Sequence, residues 1–106
     1  MSLSAIDPVI HPPKRLAAMA ILNSSTTSDF TYLRDHLGVS DSDLSKQMSA
    51  LEAAGYVAVT KSRGRGGVTS YRITRAGSAA FRKHVAALRA IVGEATAGDD
   101  SVLEQT

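Results

Sequence analysis

At 106 residues with 43% hydrophobic side chains, the chain is long enough for one domain with a modest core, too short for two, and too apolar for wholesale disorder. It contains no Cys, which excludes disulfides, thiolate metal sites and cysteine nucleophiles; no run approaches the roughly 18 apolar residues of a membrane span and no secretion signal is visible, so the expected address is the cytoplasm. Net charge is only +2, yet all 12 Lys and Arg fall within residues 12–93, against Asp29, Asp35, Asp41, Asp43 and Glu52, and no acid stands between Ala53 and Gly93, an imbalance that points to an anionic partner.

Residues 1–11 have no clear period and are expected to be a flexible arm. Pro12 and Pro13 then suit a helix start, where a missing N–H leaves nothing unpaired. Residues 16–22 are wholly apolar, so this first helix is expected to be buried around most of its circumference. In "TSDFTYLRDHLGVS", Ser28 or Asp29 can cap a second helix. Phe30, Leu33 and Leu37 share one helical face, and Gly38 ends it, since glycine takes positive φ without a Cβ clash. Ser40 then caps a third helix, with Asp43 as a short-armed version of the capping-box acid. Leu44, Met48 and Leu51 form the buried stripe of that helix, and Gly55 stops it. "YVAVTKS" and "VTSYRIT" alternate, are rich in β-branched residues and are joined by glycines, which predicts a hairpin. Thr74 is the expected cap of a fourth helix over residues 74–93. Residues 94–106 are acidic, aperiodic and expected to be a flexible tail.

The second and third helices are linked only by "GVS", a short connection that makes two helices cross steeply as a helix-turn-helix. In that unit the second helix is offered to the DNA major groove. Ser42, Asp43, Ser45, Lys46 and Ser49 lie opposite the apolar stripe of the third helix. Short hydroxyl side chains allow close approach to base edges, and Lys46 can reach a phosphate or a guanine. Asp43 is placed either to cap the helix or to accept from a cytosine amino group. After this pair, "KSRGRGGVTSYRIT" reads as a wing. Glycines let the tip lie close to another molecule, Arg65 suits a narrow minor groove, and Lys61, Arg63 and Arg72 suit flanking phosphates.

"LGVSDSDLSKQMSALEAAGYV" resembles the second half of winged helix-turn-helix transcriptional regulators of the MarR-like kind. "YRITRAG" is similar to their strand-to-helix signature, and "HPPKRLAAMAIL" to the opening helix of small winged-helix regulators. The resemblance covers residues 11 to about 92 and is nearest to reduced, single-domain relatives. It implies an α+β, mainly α fold: a three-helix core, a β-hairpin wing and a C-terminal helix, spanning residues 12–93. It also places Ser42, Asp43, Ser45, Lys46 and Ser49 on the recognition helix, and Arg63 and Arg65 in the wing.

No catalytic reading competes. There is no G-x-S-x-G elbow, the glycine run lacks the Lys-Ser/Thr of a phosphate-binding loop, and His11, His36 and His84 have no metal spacing. No enzyme activity, metal or cofactor is therefore expected, and a small-molecule effector stays unassigned. The expected partner is double-stranded DNA. The alternative is a winged helix used only as a protein-interaction module, because fold does not fix function; the basic wing and hydroxyl-rich third helix together favour DNA. Phe81, Val85, Leu88 and Val92 follow a 4-3-4 spacing near that of a coiled-coil seam, which predicts a homodimer on a palindromic operator.

Overall fold

The computed structural model of the chain describes residues 3–62 and 67–97. After a short 3-10 turn at Leu3–Ala5, the elements are α1 (Pro13–Ser25), β1 (Thr27–Asp29), α2 (Phe30–Leu37), α3 (Asp41–Ala53), β2 (Val57–Lys61), β3 (Thr69–Ile73) and α4 (Arg75–Ala97). The strands form one antiparallel sheet in the order β1-β3-β2. The α+β, mainly α architecture with a β-hairpin wing is as the sequence implies.

Local chemistry sets the boundaries. Pro13 opens α1. The Asp29 carboxylate accepts the Tyr32 N–H at 2.7 Å and caps α2. Gly38 ends α2 at φ 67° and Gly55 follows α3 at φ 80°, the left-handed region where a side chain would be strained. The Ser40 hydroxyl accepts the Asp43 N–H at 3.1 Å, and the Thr74 hydroxyl accepts the Gly77 N–H at 2.9 Å. Each such cap satisfies a donor that the first helical turn leaves unpaired.

The core lies where the helices meet the inner face of the sheet. Met19 and Leu22 of α1, Leu33 of α2, and Leu44, Met48 and Leu51 of α3 close over Val57, Tyr71 and Ile73. Each fully buried Leu or Met contributes about 1.5–3 kcal/mol relative to exposure. In α1 only Ala20 among residues 16–22 is exposed, in keeping with the apolar run.

Four expectations change. β1 was not foreseen: three residues of "TSD" pair with Arg72, Tyr71 and Ser70, too short a run to carry a strand signal alone. Asp43 does not complete a capping box; its carboxylate accepts from Gln47 and pairs with Lys14. Residues 3–11 are not loose: Ile10 is fully buried in the core, and Asp7 bonds to α4 and to the turn after α3. Finally, α4 runs on to Ala97, past the expected end at residue 93.

Candidate nucleic-acid interface

α3 is divided along its length. Leu44, Met48 and Leu51 are buried, while Ser42, Ser45, Lys46 and Ser49 are exposed and Asp43 is half-buried. The five residues predicted for the third helix thus share one side of α3, next to its capped N-terminus. Arg34 holds the α2–α3 turn, donating through Nε to Asp35 and through Nη1 to Asp41, each at 2.9 Å. Those bonds, Asp35 first, raise the guanidinium's pKa above its ordinary value.

The position of α3 is also set from behind. Asp43 Oδ1 accepts from Gln47 Nε2 at 2.9 Å, and Oδ2 meets the Lys14 ammonium of α1. The Gln47 bond and then the Lys14 bond hold the Asp43 carboxyl below the usual carboxylate range. Gln47 Oε1 accepts from Arg15 Nη1 at 3.2 Å, and Arg15 Nε donates to the Val9 carbonyl at 2.6 Å. Both carboxylate oxygens of Asp43 are therefore engaged within the protein, where the carboxylate helps to frame α3. Lys14, Arg15 and Gln47 escaped sequence reading because their partners lie up to 32 residues away.

The wing is closed at its base by Ser62 and Val68. The Ser62 amide donates to the Val68 carbonyl at 2.9 Å, and the Ser62 hydroxyl accepts the Val68 N–H at 2.6 Å. Lys61 and Arg72 are both exposed, but strand alternation separates them. Register pairs Val57 with Ile73, Val59 with Tyr71 and Lys61 with Thr69, so Lys61 continues the row of the face that packs on the helices. Arg72 pairs with Ala58 and Thr27 on the outer face, away from the tip. The structure thus does not bring Arg72 to Lys61's side. Arg63 and Arg65 lie outside the described residues.

On α4, the side turned to the domain carries the buried residues Gly77, His84 and Ala87. Phe81, Val85 and Leu88 are half-buried and Val92 is 59% exposed. The row predicted as a seam is therefore turned about a quarter of the helix circumference from the domain-facing row. His84 and His11, which have no metal spacing in the sequence, meet at 3.4 Å between ring nitrogens. Among the described residues no group of three metal-ligating side chains forms, and no helix is long and apolar enough to cross a membrane.

Comparison with known proteins gives the same picture. A family model described as a winged helix DNA-binding domain matches residues 14–92. An uncharacterized protein of Methanocaldococcus jannaschii, MJ0432, is 32% identical over 72 residues, 67% of this chain and 78% of that protein. The fold is similar to that of a transcriptional regulator homologue from Pyrococcus horikoshii OT3, with TM-score 0.77 and 22% identity over 81% of this chain and 86% of that one. It is also similar to the M. tuberculosis transcriptional regulator MOSR, solved in complex with DNA, with TM-score 0.68 and 22% identity over 89% of this chain and 68% of the other. With the capped, half-bare α3, the hairpin wing and a match over most of the chain, this protein belongs to the winged helix DNA-binding domain family.

Proposed function

We propose that the chain is a transcriptional regulator that reads a palindromic operator as a homodimer, with α3 in the major groove. Ser42, Ser45, Lys46 and Ser49 meet base edges and phosphates there. Lys61 and Arg63 hold backbone phosphates, and Arg65 at the wing tip enters the minor groove. Arg72, on the outer face of the sheet, stands apart from this set. The observation that carries the reading is the division of α3: a continuous exposed row of hydroxyls with one lysine, against a fully buried opposite row. The excess of basic residues from Ala53 to Gly93 supports it. A fold relative, MOSR, was solved in complex with DNA, which supports DNA as the partner.

The deciding experiment is selection of bound sequences from a random duplex pool, with a salt series on the winners. Enrichment of an inverted repeat whose half-sites lie one helical turn or a multiple apart is the expected result. A pool that yields no motif rejects sequence reading and leaves the protein-interaction module.

A further inference from the structure

His84 is the one buried polar or charged residue among those described, fully enclosed on α4. Its Nδ1 accepts the backbone N–H of Asp7 at 3.0 Å. Nδ1 therefore presents a lone pair, and the neutral ring carries its proton on Nε2. That nitrogen faces His11 Nδ1 at 3.4 Å, with the rings edge-on at 5.3 Å between centroids. This tautomer argues against a metal between the two histidines, since a ligating Nε2 would need its proton moved to an Nδ1 that already faces a donor.

Residues 7–11 form a strap across α4. The Asp7 carboxylate accepts the Tyr56 hydroxyl at 2.6 Å and the Val9 N–H at 2.9 Å. The His11 N–H bonds back to the Asp7 carbonyl at 2.8 Å. One end of the strap is thus fixed by a backbone donor on His84 and the other by its own turn. Beneath it lies an open cavity of about 430 Å³ lined by Ile6, Asp7, Val9, Tyr56, Ala80 and Lys83. The strap is thus held by the burial of Ile10 and a few polar bonds, with that open cavity beside them. The same strap supplies the Val9 carbonyl to Arg15, which reaches Gln47 and, through it, Asp43 of α3.

We propose that residues 7–11 are a proton-sensitive strap: protonation of His84 undocks them from α4 and, through Arg15, loosens the Gln47–Asp43 bracket on α3. A proton on Nδ1 sets one donor against another, so the Asp7–His84 bond is lost when the ring becomes a cation. The ionisable groups that act on the ring are Asp7 and His11 on the strap; Lys83 is its neighbour on α4, Tyr56 is reached through Asp7 and Arg15 through Val9. Of these, the Asp7 carboxylate alone favours the imidazolium, and it is already engaged by Tyr56 and the Val9 amide. Burial, then the neighbouring His11, press the ring's pKa below the ordinary 6.5 of histidine, with Asp7 opposing.

The sign follows. The docked strap binds the ring's proton less readily than the released one. Docking is therefore complete above about pH 6.5 and weakens as pH falls below it, by up to tenfold in the opening constant per pH unit until the docked ring titrates. The burial of Ile10 sets how far the balance lies toward docking before any proton binds.

Nuclear magnetic resonance on the full chain, without DNA, tests this between about pH 7.5 and 5. Three signals are followed: the His84 ring, the amide protection of Asp7 and His11 after correction for intrinsic exchange, and the Gln47 side-chain amide. The expected result is a loss of protection of roughly tenfold per pH unit below 6.5, with a Gln47 shift that shares the His84 midpoint. His84→Gln, whose side-chain oxygen can still accept from Asp7 but does not titrate, should flatten both responses. Protection that ignores pH in the wild type overturns the strap, and this result needs no folded variant. Protection that follows His84 while Gln47 stays still overturns the link to α3. The link has regulatory meaning only if α3 is the reading helix; since every readout is free of DNA, failure of the proposed function and failure of the strap are told apart.

Discussion

Gly77 sits against the carbonyl of Tyr56 so closely that a Cβ at position 77 would lie 2.1 Å from the oxygen and 2.8 Å from the carbon. The contact joins the start of α4 to the turn after α3. The same carbonyl accepts the Thr74 N–H at 3.0 Å, while the Thr74 hydroxyl donates to the Gly55 carbonyl at 2.6 Å. Backbone atoms on both sides leave no flexible side chain to give way. Gly77→Ala is expected to destabilise the fold by about 3 kcal/mol, the upper part of the range for overpacking. Urea denaturation followed by circular dichroism measures it, and a midpoint equal to wild type would mean the two segments separate easily.

Thr26, after α1, adopts φ 73° and ψ −45°, a region that a β-branched residue occupies under strain. It is held there because its N–H reaches Leu22 at 2.7 Å and its carbonyl accepts from Ile73 at 3.0 Å. Thr26→Gly should raise stability by about 1 kcal/mol, strain relief exceeding the added freedom of the unfolded chain. A loss of stability in the same denaturation series would show that no strain was stored.

Tyr56 and Tyr71 both ionise above the ordinary value of 10, Tyr56 because it donates to Asp7 and Tyr71 because of burial, with Glu52 adding. The folded state keeps these protons when the unfolded chain has begun to lose its own. Stability is therefore complete below pH 10 and falls as pH climbs above it. Thermal melts at about pH 9, 10 and 11 should show the decline. Tyr56→Phe should reduce its slope, and a melting temperature flat to pH 11 would refute both assignments.

Lys61 and Arg72 make opposite forecasts for DNA binding. Lys61→Ala should flatten the log Kd against log salt line by about 0.9, one phosphate contact, without altering sequence preference. Arg72→Ala, on the outer face, should leave the slope as it is. Lys46→Ala should change which duplexes are preferred. If Arg72→Ala flattens the slope and Lys61→Ala does not, the orientation of the wing is the reverse of that proposed.

Val92 tests the seam better than Leu88, because at 59% exposure it can be charged without entering the core. If α4 pairs two chains, Val92→Glu should shift sedimentation equilibrium at tens of micromolar (roughly where a weak dimer still forms) toward monomer, with circular dichroism unchanged. A wild type that sediments as a monomer there removes the homodimer from the proposal.

Sequence alone determined the parts that rest on local chemistry. Ser40 and Thr74 act as caps, Gly38 and Gly55 take left-handed φ, and the rows of α2 and α3 face the core, because each of these depends on residues within about one or two helical turns; the choice of Asp29 over Ser28 as the cap of α2 came from the fold. The exposed row of Ser42, Ser45, Lys46 and Ser49 followed from the buried one by the same periodicity. Tertiary structure decided what distance along the chain conceals. β1 is a strand only because β3 is beside it, and three residues cannot signal a partner 45 positions on. Asp43 turned from cap to bracket because Lys14, 29 positions away on α1, offered a charge beside the donor from Gln47 one turn on. Residues 3–11 looked loose because they have no period; they are fixed instead by the burial of Ile10 in the core and by single polar bonds, from Asp7 to His84 across 77 positions and to Tyr56 across 49. Periodicity reports a repeated face, whereas a strap held by a few hydrogen bonds repeats nothing, so only the folded chain could bring its partners together.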